Sequence, residues 1–184
     1  MDRVCIFIDG SNLEISIKNS FNKRVAPEKL SNKLAAGRRL IRVLYYEAPL
    51  IQNVNPTSFN GQQQFFQRLR MHPLFEIRLG RRVQRNKQTK CPKCGEAHDN
   101  PTWVQKGVDS LLTFDLVSLA FRNAYDTAIV IAGDEDFVTP CIEVRCLGKM
   151  VENAFTKYGW APRLKLVADN TLELTEDYLS DCWG

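Results

Sequence analysis

Two stretches of the sequence carry carboxylates directly after a short apolar run. In Asp126-Thr-Ala-Ile-Val-Ile-Ala-Gly-Asp-Glu-Asp-Phe137, the run Ala128 to Ala132 breaks at Gly133, and Asp134 and Asp136 follow at once. Near the start, Arg3-Val-Cys-Ile-Phe-Ile8 runs straight into Asp9-Gly10-Ser11-Asn12. Continuous, β-branched runs of this length suit strands buried on both faces of a parallel sheet. Open α/β sheets place their sites just beyond the carboxyl ends of such strands. Asp and Gly also cap helices after strands, and either motif alone fits that plainer role equally well. A third element weighs toward a site. Lys106-Gly107-Val108-Asp109 opens an amphipathic helix with Asp109 in its first turn, so three acidic clusters can converge on one cation.

The set Ile8-Asp9-Gly10-Ser11-Asn12-Leu13, Lys106-Gly107-Val108-Asp109 and Gly133-Asp134-Glu135-Asp136-Phe137 resembles the NYN domain family in its LabA-like branch. That family is similar to PIN-domain nucleases. The likeness covers most of the chain in the expected order, including Leu147-Gly148-Lys149 after the last motif's helix. It implies a single PIN-like domain over 1–184 with a metal-dependent ribonuclease fold.

The chemistry of the residues agrees with that expectation. Mg²⁺ or Mn²⁺ takes oxygen ligands and keeps several waters, so a few carboxylates at adjoining strand ends suit either ion. Asp9, Asp109 and Asp134 are the candidate ligands, with Asp136 as a further ligand or a water-orienting base. Asn12 would hydrogen-bond a ligand or the scissile phosphate, and Ser11 would support the site from behind. Asp115 falls near the middle of the helix's apolar stripe, four residues from both Leu111 and Leu119. A carboxylate facing the core must be paired, hydrogen-bonded or protonated. Asp115 is therefore expected to orient the site from behind or, preferably, to act as a structural acceptor for the Ser11 region. The expected reaction is hydrolysis of RNA phosphodiester bonds by a metal-activated water. The rival from another class is a non-catalytic RNA-binding or regulatory module that retains the acidic pocket. A phosphotransfer hydrolase would carry an Asp where Ser11 stands. A dinucleotide-binding fold would need a glycine-rich loop after the first strand.

Arg78, Arg81, Arg82, Arg85, Lys87, Lys90 and Lys93 follow one another without an acidic residue between them. Such a run is either a solvated face or an arm for a polyanion. Leading toward Lys106, it is expected as a basic loop at about 84–104 that carries RNA, most simply a single strand, across the acids. Lys106 is a candidate phosphate contact, and Trp103 either stacks on a base or belongs to the core. Cys91-Pro-Lys-Cys94-Gly95, followed by His98, has the spacing of half a structural zinc site. A fourth ligand would come from Asp99, from Cys182 or from a second chain, which leaves a homodimer among the expected assemblies. The alternative is a pair of idle thiols.

The elements that must hold these residues follow from pattern. The 184 residues suit one domain with a proper core, and the net charge of +4 is mild. Six cysteines without an export signal read as reduced thiols or metal ligands in a cytoplasmic protein, and no run reaches membrane-spanning length. Strands are expected at 3–8, 40–46, 75–83, 128–132 and 149–155. Helices are expected to begin near 12 and to span 28–36, 57–71, 107–125, 138–147 and 162–174. Alternating strands and helices imply βαβ units in a three-layer α/β/α domain with a mainly parallel sheet.

Overall fold

A computed structural model describes residues 1–90 and 97–184, with backbone alone for 86–90 and 97–101. Its central sheet has six strands: β1 (Arg3–Asp9), β2 (Arg39–Glu47), β3 (Phe75–Leu79), β6 (Thr127–Ile131), β7 (Met150–Phe155) and β8 (Asn170–Glu173). Their spatial order is β3-β2-β1-β6-β7-β8, and every neighbouring pair is parallel. The α/β/α class read from the sequence holds. Alternate residues of β1 serve opposite layers, as the two-residue period of a strand requires. Cys5 and Phe7 pack under α4 (Val108–Phe121), α5 (Val138–Cys146) and α6 (Pro162–Val167). Val4, Ile6 and Ile8 pack under α1 (Gly10–Phe21), α2 (Pro27–Ala35) and α3 (Pro56–Arg70), with Leu174, Leu179 and Cys182 of the tail. Burial on both faces is why these strands read as unbroken apolar runs.

Three expectations are corrected. The helix expected over 162–174 stops at Val167, and Asn170–Glu173 is a sheet strand. Asp169 makes the change. Its N–H donates to the Val151 carbonyl at 2.8 Å, and its carboxylate accepts the Val151 N–H at 2.8 Å. The strand expected over 75–83 ends at Leu79. Gly80 lies where a Cβ would sit 2.7 Å from the Lys106 carbonyl oxygen, so the chain turns there against its own return. The basic loop expected at about 84–104 is, where described, a two-stranded antiparallel ribbon, β4 (Arg81–Lys90) with β5 (Ala97–Lys106). Neither strand carries the apolar alternation by which a half-buried strand is recognised.

Helix α4 is also less amphipathic than its stripe suggests. Val108, Leu112, Leu116 and Ala120 are buried, but Phe114 and Phe121 are exposed on the far side. Among the described residues, no helix is long and apolar enough to cross a membrane.

Candidate active site

The parallel sheet brings the carboxyl ends of β2, β1 and β6 side by side, and the candidate acids sit on that edge. Asp9 is the last residue of β1 and the N-cap of α1, its Oδ1 accepting the Asn12 N–H at 3.0 Å. Gly10 follows because a Cβ there would meet the Tyr45 ring at 2.6 Å. Asp134 leaves β6 on the neighbouring strand and caps the short 3₁₀ turn Glu135–Phe137, accepting the Asp136 N–H at 2.9 Å. Phe137 is fully buried and anchors that turn, while Asp136 is exposed. Asp109 enters from the first turn of α4, where the helix dipole favours an acid.

Two close approaches lock the β1 and β6 corners together. Asn12 Oδ1 accepts the Gly133 N–H at 3.0 Å, so the side chain expected to meet a ligand or phosphate is engaged in positioning the Asp134 loop. A Cβ on Gly133 would lie 1.9 Å from the Gly159 carbonyl oxygen, and a Cβ on Gly159 would lie 2.6 Å from Ser16 Cβ. Only glycines let these backbones approach so closely.

The electrostatics mark the acids as one group. Burial pushes Asp9 up from its ordinary 3.8 to about 6; the Asn12 N–H works against this, and the charges of Asp109, Glu47 and Asp134 add to it. Asp109 is likewise raised, by burial and then by Asp134 and Asp136, with Lys106 opposing. Like charges that act on one another resist joint ionisation, and a cation among them would relieve the strain. Among the described residues, no three acids, histidines or cysteines are close enough to form a ready-made metal cage. An all-carboxylate donor set with uncompensated charge still fits a hard divalent ion that binds through one or two carboxylates and its own waters.

Glu47 is missing from the candidates read off the sequence. It ends β2 as Asp9 ends β1 and is 4% exposed. Its Oε1 accepts the Ser11 hydroxyl at 2.8 Å and the Ala48 N–H at 2.9 Å, and burial holds its pKa above the usual carboxylate range. The rule that finds Asp9, an acid closing an apolar run, would find Glu47 after Leu40 to Tyr46. Gln105 completes the group by donating to Ser11 Oγ at 2.7 Å, and a lone glutamine gives no such signal.

Asp115 is buried and paired, as a carboxylate facing the core must be, but its partners differ from those expected. It does not serve the Ser11 region. Arg78 grips it in a two-pronged ion pair, 2.8 Å through each nitrogen, and the buried Tyr46 hydroxyl donates to it at 3.0 Å. Arg78, expected to contact nucleic acid, has its guanidinium engaged by Asp115. Arg81, Arg85 and Lys106 are exposed and pair with no acid among the described residues. Arg82 is half-buried and donates to the Ala48 carbonyl at 3.3 Å. Cys91 and Cys94 lie outside the described residues, as do the side chains of Lys87 and His98. Cys182, one source considered for a fourth zinc ligand, is buried in the α1–α2 layer.

Comparison with known proteins gives three findings. A family model described as NYN domain matches residues 3–175. No curated protein matches the chain. The fold is similar to the crystal structure of a protein of unknown function from Vibrio parahaemolyticus, with a TM-score of 0.69 and 19% identity, over 96% of this chain and 94% of that one.

Proposed function

The chain belongs to the NYN domain family, whose nucleases are PIN-like and act on RNA, and from that premise we propose that it is a divalent-metal-dependent ribonuclease acting on single-stranded RNA. The observation that carries this reading is the buried Asp9 at the carboxyl end of β1, next to the strand that leads to Asp134, where burial and the charges of Asp109, Glu47 and Asp134 push its carboxyl upward. Asp9, Asp109 and Asp134 would hold Mg²⁺ or Mn²⁺ between them, one or two directly and the rest through the ion's waters. When bound, that ion supplies a nucleophilic water and neutralises charge building on the phosphate.

The chain's own residues do the rest. Asn12 fixes the Gly133–Asp134 turn through its hydrogen bond to the Gly133 N–H. Ser11, held between Glu47 and Gln105, sets the first turn of α1 against the root of the ribbon. Exposed Asp136 accepts a proton from the attacking water at its carboxylate. Arg81, Arg85 and Lys106 take backbone phosphates, which need charge but no base reading.

The test is cleavage of a labelled RNA with Mn²⁺ by wild type beside Asp9→Asn prepared identically. Cleavage by wild type alone is the expected result. Equal cleavage by both would mean a contaminating nuclease. Tight binding with no cleavage by wild type, across varied RNAs, would make the domain a non-catalytic RNA-binding module.

A further inference from the structure

The register of the ribbon sorts its side chains. Directly opposed residues of an antiparallel pair share a face, as do residues two apart along either strand. Gln84 opposite Trp103 and Arg82 opposite Gln105 therefore stand on one face, with Arg81, Arg85 and Lys106 on the other. The first face is tied to the acidic edge at its root. Gln105 donates to Ser11 at 2.7 Å, Ser11 donates to Glu47 at 2.8 Å, and Arg82 reaches the Ala48 carbonyl at 3.3 Å. Ser11 is in turn two residues from Asp9. The next residue outward on that face is Trp103, about 7 Å further along the strand.

Trp103 is half-buried, yet among the described residues it packs on neither hydrophobic cluster of the domain. That removes the reading of Trp103 as a core residue. What remains is an indole on a basic arm, held at a set distance from the acids by hydrogen bonds at the arm's root. Resting on the ribonuclease reading and deepening it, we infer that Trp103 is a stacking platform that selects unpaired bases beside the scissile phosphate. Bases within a duplex have both faces covered by their neighbours, so only a single strand or a frayed end offers a free face. Every base has such a face, and the platform therefore discriminates strandedness with little regard to sequence.

The experiment uses the full chain without chelator and without added Mg²⁺ or Mn²⁺, where binding is read without cleavage. Substituting Trp160→Phe and Trp183→Phe leaves Trp103 as the only one of the three indoles. A short single-stranded RNA should quench its fluorescence, and the same RNA annealed to its complement should not. In the natural background, Trp103→Ala should weaken single-strand binding roughly tenfold and leave duplex binding unchanged, while Trp103→Phe retains most of the affinity. Single-strand binding without quenching, and unchanged by Trp103→Ala, would overturn the platform and leave the ribonuclease reading standing. Equal quenching by duplex would overturn the selectivity. Absence of both RNA binding and cleavage in the wild type would bring down both proposals.

Discussion

Asp9→Asn tests the acidic centre through stability, independently of any activity. Burial and neighbouring acids raise this carboxyl from 3.8 to about 6, which corresponds to a penalty of about 3 kcal/mol on its ionised form. The penalty belongs to the charged state. It is nearly absent below the ordinary carboxylate pKa, grows as pH rises from about 4 to about 6, and is fully present above that. Asn carries no charge at any pH and caps a helix as well as Asp, so the hydrogen bond to the Asn12 N–H survives. In EDTA the variant should lie within about 0.5 kcal/mol of wild type at pH 4 and exceed it by up to about 3 kcal/mol at pH 8. For a chain of this size, that gain raises Tm by about 6 to 12 °C. Added Mn²⁺ should offset most of the advantage, because wild type gains about 2.7 kcal/mol at a hundredfold excess over Kd and the variant gains less. The assay is thermal unfolding at both pH values with and without Mn²⁺. A variant less stable than wild type at pH 8, or offset equally at pH 4 and pH 8, would refute the argument that Asp9 is a charge-strained carboxylate.

Asp115→Ala strands the buried Tyr46 hydroxyl and leaves Arg78 without its partner; urea unfolding should show a loss of about 2 to 4 kcal/mol. Cleavage per folded molecule should be unchanged, and a loss of activity at full stability would move Asp115 into the site. Gly133→Ala would drive a Cβ into the Gly159 carbonyl, so it should destabilise by about 1 to 3 kcal/mol or more and abolish cleavage by displacing Asp134. Arg81→Ala combined with Arg85→Ala should weaken binding to unrelated RNAs alike and flatten the salt dependence by about 0.7 per lost phosphate contact; an unchanged slope would make these arginines mere solvated surface. Elemental analysis of protein purified without added metal should find near-stoichiometric zinc, as Cys91, Cys94 and His98 imply; freely reactive thiols and no zinc would remove that reading.

The fold class and most of the candidate site were legible because both are written locally. Strands covered on two faces must be continuously apolar, so Val4 to Ile8 and Ala128 to Ala132 announce themselves within a few residues. Asp9, Asp109 and Asp134 are attached directly to the ends of the elements that place them. That Asp9 and Asp134 leave neighbouring strands then follows from one fact of topology, the pairing of β1 with β6, while Asp109 is brought to the same edge by α4. The remaining features rest on partners far apart in the chain. Asp115 is recognisable as a buried acid in need of a partner, but Arg78 and Tyr46 are two of many candidates until β2 and β3 are laid beside α4. Ser11, Glu47 and Gln105 form one hydrogen-bonded group across 36 and 94 residues of sequence, with no periodicity to connect them. The same holds for β8, whose residues Asn170–Glu173 become a strand only because β7 offers them an open edge. Hydrophobic period is a property of a segment, whereas the satisfaction of a buried polar atom depends on what the completed fold brings within 3 Å of it.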